Sequence, residues 1–360
     1  MEPKPLRILV LSGLGKDSGC MVRARYLTAS LKNAGADATL APGIRTLPLF
    51  LDLMVSAVWN LRLLFSACDV IIACKPLPSV TPLLMLKGMR GAITVVDIDD
   101  LDYGYRTGLL SWITRRMETP FPKRCNIVTY HNEALIRVIR DTFRVGPEHL
   151  FPLPQGVDLS IFYPRQQLAH RNGTVPGLVV VYPAHLNMAS DLDAIFEVLR
   201  LARQLLPALR LIVIGGGPKE RHFRRLAKAG NLDGYVEFTG YVQPERVPAY
   251  LAMGDAGIVY YKDTEVNYYR SSMKLREMLA AGLKVVSTDV GECRQFARFT
   301  YQAPPEPQAV AELLVRTLTE GGDGREVAGS AFVRKEMNWN TIGDRLYKKL
   351  AAVAAAEQSH

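Results

Sequence analysis

Short apolar runs alternate with stretches of helical periodicity along almost the whole chain, and this alternation predicts α/β domains built on parallel strands. Arg7-Ile-Leu-Val-Leu-Ser12 reads as a buried strand, followed by Gly13, Gly15 and Gly19 and then by a helix over 21–34. Further strands are predicted at 70–73, 93–97 and 126–130, with helical stretches between them. Residues 163–177 are polar, rich in turn formers and without apolar period, so an interdomain linker is expected there. The alternation then restarts. Strands are predicted at 178–182, 209–214, 236–239, 256–260 and 284–287, with helices near 191–206, 219–229, 244–253 and 272–281 and one or two closing helices over 339–356. The expected division is 1–165, 166–335 and a closing segment 336–360, two Rossmann-like doubly wound domains facing a central cleft.

Length and composition agree with that division. The 360 residues, 48% hydrophobic and 22% charged, suffice for two cores and exclude a disordered or repetitive chain. Five cysteines without paired spacing suggest neither a disulfide framework nor a zinc site, and a reducing compartment is expected. Met1 leads almost directly into a strand, so no export signal is expected and the cytosol is the predicted location. The net charge of +9 suits acidic partners such as nucleotide phosphates or anionic headgroups, but no dense Lys/Arg stripe tracks a nucleic-acid backbone. Residues 47–67 are the most hydrophobic stretch. Asp52, Ser56, Asn60 and Arg62 interrupt it, which argues against a bilayer span and for an amphipathic helix, either packed on the first sheet or lying in a membrane interface. Lys87, Arg90, Arg115, Arg116, Lys123 and Arg124 keep the inner membrane face in view and fit a solvated face equally well.

Candidate chemistry gathers at strand ends. Ser12 to Gly19 lies between strand and helix, where backbone N–H groups can approach an anion, yet Ser18 breaks a dinucleotide fingerprint. Gly215-Gly216-Gly217-Pro218 with Lys219 ends another strand, and phosphate binding and a purely structural turn both fit it. Ser271 or Ser272 can cap the next helix, on which Lys274 and Glu277 lie three apart on one face. A carboxylate there can accept ribose hydroxyls and an ammonium can neutralise phosphate; an intrahelical ion pair explains the same spacing. Asp97, Asp99, Asp100 and Asp102 put four carboxylates after a first-domain strand, as acid–base groups, a cation site or helix caps. His131 follows the strand ending at Tyr130, whereas the other histidines show no partner pattern. Hydrolase elbow, zincin and Walker motifs are absent from the sequence.

Taken in order, Gln155 to Pro164, Gly215 to Pro218, Phe238-Thr-Gly-Tyr-Val242 and the Ser271 to Gly282 helix with its following strand resemble glycosyltransferase family 4, the retaining GT-B enzymes. The resemblance implies an α/β GT-B fold with an acceptor-side first domain and a nucleotide-sugar-binding second domain, no metal and no cofactor beyond the nucleotide diphosphate sugar as co-substrate. It implies that Gly156-Val157-Asp158 forms the hinge, that Gly240, Tyr241 and Val242 border the base, and that Glu277 bonds the ribose. The implied donor set is Gly19, His185, Gly216, Lys219, Tyr241, Val242, Arg270, Ser272, Lys274, Leu275 and Glu277, with Asp99, Asp100 and His131 on the catalytic side. Tyr269 stands where such enzymes carry a second Glu, and His185 and Ser190 where they carry an Arg and a Lys. Arg270, Lys274 and the helix start at Ser272 are the groups expected to compensate. The expected activity is sugar transfer with retention to a hydroxyl acceptor, a glycan or lipid-linked group in cell-surface polysaccharide or glycolipid assembly. A non-catalytic nucleotide-binding protein and a nucleotide-sugar epimerase or hydrolase are the alternatives.

Overall fold

In a computed structural model, the described residues are 4–14, 18–41, 49–99, 101, 104, 108–164, 177–187 and 190–358; among these the side chains of 49–53, 56, 110 and 117 are left undescribed. Asp100 and the Gly15 end of the first glycine loop fall outside them. The chain divides into two compact units, the first comprising residues up to Gly156, Tyr269–Ser271 and Trp339 onward, the second Val157–Tyr268 and Ser272–Asn338.

The first unit carries β1 (Arg7–Ser12), α1 (Gly19–Asn33), β2 (Asp37–Ala41), α2 (Leu49–Leu61), β3 (Val70–Cys74), α3 (Thr81–Gly88), β4 (Ile93–Ile98), α4 (Gly108–Glu118), β5 (Ile127–Tyr130), α5 (Ala134–Asp141) and β6 (Leu150–Pro152). Its strands form one parallel sheet in the order β2-β1-β3-β4-β5-β6. The order reverses between β1 and β3, which is where open α/β sheets take ligands. Ser18 caps α1, its hydroxyl accepting from the Met21 N–H at 3.1 Å. Aliphatic residues of β1, β3 and β4 are buried on both faces, as parallel central strands require.

The second unit holds β7 (Val179–Pro183), α6 (Leu192–Ala202), β8 (Arg210–Ile214), α7 (Glu220–Ala229), β9 (Val236–Phe238), α8 (Val247–Leu251), β10 (Ala256–Val259), α9 (Glu265–Tyr269), α10 (Met273–Ala280), β11 (Lys284–Thr288), β12 (Tyr301–Ala303), α11 (Pro307–Thr319) and α12 (Arg325–Glu336). Its sheet order, β12-β11-β10-β7-β8-β9, is the doubly wound dinucleotide-fold order, with its switch point between β7 and β10.

The last helix, α13 (Trp339–Gln358), belongs to the first unit. It buries Trp339, Ile342, Leu346 and Leu350 at helical spacing in the core shared with β1 and β3. The Trp339 indole stacks on Tyr26 at 5.6 Å, and a Cβ at Gly156 would lie 2.6 Å from it. The break between units therefore falls at Gly156, upstream of the 165/166 boundary predicted from composition, and the closing segment is one helix that completes the first core.

Candidate functional site

In the second unit, three successive loops at the C-terminal edge of the sheet are knitted together by backbone. The Ala184 N–H donates to Ile214 C=O at 2.9 Å, that of Leu186 to Gly216 C=O at 3.0 Å and that of Lys219 to Leu186 C=O at 3.0 Å, while Gly215 and Gly240 form an antiparallel bridge. Gly215 has φ +126°, and a Cβ there would lie 2.2 Å from Ala184 C=O; one at Gly217 would lie 2.4 Å from Leu186 C=O. These two glycines are demanded by close approach of the loops, the structural reading of the turn. Helix α7 begins at Glu220, and Lys219 occupies its N-cap position. Tyr241 is exposed just beyond Gly240, and Val242 packs against the second unit's core.

The loop after β7 closes on itself. Ser190 Oγ donates to His185 C=O at 2.8 Å and accepts the Asn187 N–H at 3.1 Å, so its hydroxyl is spent on the loop, whereas His185 is exposed. Across the switch point, the Asp191 carboxylate accepts from the Asn267 side chain at 3.2 Å and the Lys262 N–H at 3.3 Å, tying the loops after β7 and β10.

Helix α10 is held at its start by a buried clasp. Ser272 Oγ accepts the Leu275 N–H at 3.3 Å, the Ser272 N–H donates to Glu292 at 2.9 Å, and Arg276 donates to Ser272 C=O at 3.0 Å and to both Glu292 oxygens at 2.8 and 2.6 Å. Leu275 is fully buried, so its side chain serves the core and its N–H serves the cap. Lys274 and Glu277 face away from that core. Lys274 Nζ donates to the Tyr182 hydroxyl at 3.0 Å and sits 4.2 Å from the ring centroid, a cation–π contact at the C-terminal end of β7. Burial pushes the partly exposed Glu277 carboxyl up to about 7, and the Lys274 ammonium pulls it back. A carboxylate poised near neutrality beside a fixed ammonium can accept hydroxyl hydrogens while its neighbour takes an anion.

At the switch point of the first sheet, the Gly13 N–H donates to Cys74 C=O at 2.9 Å, and a Cβ there would come within 2.7 Å of that oxygen. Lys75, in the left-handed region at φ 71°, pairs with Asp99 at 3.6 Å. Asp97 belongs instead to a buried structural network. Arg23 donates to both of its oxygens at 2.6 and 2.9 Å, to Gln155 Oε1 at 2.7 Å and to Leu153 C=O at 2.7 Å, and Thr129 donates to it at 2.6 Å. The remaining predicted carboxylates, Asp100 and Asp102, lie outside the described residues. His131 is buried at the end of β5, and a Cβ on Gly19 would meet nothing within 4 Å among the described residues at the start of α1. Arg270 lies in the Tyr269–Ser271 stretch of the first unit, where Asn132 Nδ2 donates to Tyr269 C=O at 3.2 Å. Burial raises the Cys20 thiol to about 12 and Cys74 well above its ordinary value, so neither is a nucleophile. Among the described residues no cluster of His, Cys, Asp and Glu has metal-ligand geometry.

Residues 177–320 match the family described as glycosyl transferases group 1. Over 258 residues the chain is 23% identical to a Bacillus subtilis protein named as a teichuronic acid biosynthesis glycosyltransferase, TuaH, covering 68% of this chain and 62% of that one. It is 26% identical over 211 residues to the Mycobacterium tuberculosis GDP-mannose-dependent alpha-(1-6)-phosphatidylinositol monomannoside mannosyltransferase, covering 54% of each. The chain thus spans about 62% and 54% of these relatives' lengths. Among solved structures, a sucrose-phosphate synthase from Thermosynechococcus elongatus superposes with a TM-score of 0.77 at 18% identity, over 97% of this chain and 100% of that one. Anabaena HepE in complex with UDP and glucose superposes with a TM-score of 0.70 at 14% identity, over 96% and 99%. Likeness at such identities speaks for the fold, two Rossmann-like domains of the GT-B kind, and residues 177–320 are similar to the group 1 glycosyl transferases.

Proposed function

We propose that the protein is a retaining glycosyltransferase that moves a sugar from a nucleotide diphosphate sugar to a hydroxyl acceptor in cell-surface polysaccharide or glycolipid assembly. The observation that carries the reading is the pairing on α10: Glu277 held near neutrality and Lys274 fixed on Tyr182, both at the switch point of the second sheet. Glu277 accepts the ribose hydroxyls, Lys274 neutralises the diphosphate, and the turn after Gly240 borders the base. A leaving diphosphate gains negative charge in the transition state, so a preorganised ammonium accelerates departure without moving. Asp99, held by Lys75, orients the acceptor hydroxyl or the sugar. The relatives' names, in teichuronic acid and phosphatidylinositol mannoside synthesis, support an envelope acceptor. The exposed Val58 and Trp59 of α2, with Arg62 stacked 3.9 Å from the Trp59 ring, support work at the inner membrane face.

The test is a thermal-shift screen against UDP, GDP, ADP and dTDP on wild type and Glu277→Ala, followed by product analysis with the matching sugar nucleotide. Stabilisation by one nucleotide, lost in the variant, is expected; no stabilisation by any of them removes the donor assignment. Binding without turnover would favour a nucleotide-binding protein, a reading to which the inward-turned Ser190 lends weight. Free sugar or an epimer formed without acceptor would mark a hydrolase or epimerase.

A further inference from the structure

In the second unit, the loops after β8 and β9 meet at Gly216 and Tyr241, and a carboxylate is turned toward their junction. A Cβ on Gly216 would lie 3.0 Å from the Tyr241 nitrogen and 3.2 Å from Glu220 Oε2. Glu220 stands in the first turn of α7, and its half-buried side chain reaches back to the turn that precedes the helix. Its two oxygens are placed differently. Oε1 accepts from Arg224 Nε at 2.9 Å and lies 2.8 Å from Arg224 Nη2. Arg224 is itself anchored, donating to Phe238 C=O at 3.2 Å and lying 4.7 Å from the Phe238 ring centroid. An ion pair along the helix and the favourable place of an acid in its first turn explain Oε1. They do not explain Oε2, which the fixed guanidinium leaves turned to the junction. Beside it, the Tyr241 ring is 77% exposed.

The inference rests on the donor reading above, in which the turn after Gly240 borders the base. A carboxylate at the edge of a base site discriminates by what each base presents to it. Guanine offers two adjacent donors, N1–H and the N2 amino group, to one carboxylate. Adenine and cytosine offer a single amino group beside a ring nitrogen that can only accept. Uracil and thymine offer one N–H between two carbonyl oxygens, which a carboxylate repels. The exposed Tyr241 ring adds a face for stacking, and a purine covers more of it than a pyrimidine. We propose that Glu220, held in place by Arg224, reads the Watson–Crick edge of guanine, so that the donor of this chain is a GDP-sugar. Arg224 acts through Glu220 and is a positioning residue.

Calorimetric titration of the full chain with GDP, ADP, UDP and dTDP tests it. Wild type should bind GDP at least about tenfold more tightly than UDP, the discrimination that one well-made bidentate contact to a base gives. Glu220→Gln replaces one acceptor by a donor, so GDP affinity should fall about tenfold while UDP affinity holds or rises. Arg224→Met keeps the carboxylate and releases it, so GDP affinity should fall by less and UDP affinity should hold. Both side chains are partly exposed, and thermal midpoints of the unliganded variants check the fold. Preference of wild type for ADP, UDP or dTDP overturns the guanine assignment and leaves the donor reading standing. An equal loss for every nucleotide in Glu220→Gln does the same, since the carboxylate would then shape the loop without reading the base. Absence of binding by all four overturns the donor reading and this inference with it.

Discussion

Arg276 and Glu292 form a doubly hydrogen-bonded ion pair at 2.6 and 2.8 Å, both side chains about 1% exposed, and together they bracket both backbone groups of Ser272. The pair lies beneath α10, on the side opposite to Lys274 and Glu277, so it sets where those two groups stand.

Removing one partner leaves a buried charge alone. Glu292→Gln should destabilise the protein by about 3–5 kcal/mol, because the Arg276 guanidinium cannot regain water and the amide offers one acceptor oxygen where the carboxylate serves Ser272 N–H and both guanidinium nitrogens with two. Urea unfolding of the variant measures this. A loss below about 1 kcal/mol would mean that the clasp opens to solvent readily.

Gly215 and Gly19 should behave in opposite ways. Alanine at Gly215 meets Ala184 C=O at 2.2 Å in a backbone with φ +126°, and more than about 2 kcal/mol of stability should go. Alanine at Gly19, in the first turn of α1, meets nothing within 4 Å among the described residues and should leave stability unchanged or raise it by up to about 1 kcal/mol. If the open backbone there approaches the sugar donor, kcat/KM falls in Gly19→Ala while the melting temperature does not. Unchanged kinetics would exclude Gly19 from the site.

The central strands were legible because they are continuous apolar runs such as Val70-Ile-Ile-Ala-Cys74 and Arg210-Leu-Ile-Val-Ile214. The strands without such a signal, β2, β6 and β12, all lie at sheet edges, where Asp37-Ala-Thr-Leu-Ala41 or Tyr301-Gln-Ala303 need bury only part of their side chains. Composition put the unit boundary at 165/166, whereas the resemblance put the hinge at Gly156-Val157-Asp158, where the units divide; the packing of Trp339 against Gly156, from far along the chain, is not encoded in the local stretch. Within the site, helical spacing was enough to pair Lys274 with Glu277. Tyr182, Lys75 and Glu292 come to their partners only through strand order, which no short motif encodes. Ser190 was legible as an absent Lys but not as a loop clasp, because a hydroxyl's direction depends on the turn that holds it.

Glu277 makes stability and binding respond to pH in opposite directions. Its carboxyl titrates at about 7 in the fold against an ordinary 4.5, so the folded state holds the proton more tightly between those values. Stability from this group is therefore present below about 4.5 and lost as pH rises through 7. Glu277→Gln escapes that loss, and its advantage over wild type should grow between pH 5 and pH 8 to on the order of 1–2 kcal/mol, discounted for partial exposure. The same variant should gain less stabilisation from nucleotide, since the amide accepts ribose hydroxyls less well than a carboxylate. Thermal midpoints of both proteins across that range, with and without nucleotide, check both signs; a constant difference between them would show that Glu277 does not titrate there.

Lys274 and Tyr182 can be told apart although they touch. Lys274→Met removes the only one of the two groups that opposes diphosphate charge, and kcat should fall on the order of 10²–10³-fold. Tyr182→Phe keeps the ammonium and the ring beneath it, losing one hydrogen bond of 3.0 Å, so the fall should be about fivefold. The two variants also differ at Glu277. Without the ammonium, burial acts unopposed and its carboxyl titrates higher than about 7, so the pH at which nucleotide affinity reaches half its maximum should move upward in Lys274→Met and stay in place in Tyr182→Phe. Calorimetric titrations across pH measure that midpoint. Equal losses and equal midpoints in both variants would show that Lys274 acts only as a packing partner of Tyr182, and the charge-neutralising role would pass to another cation.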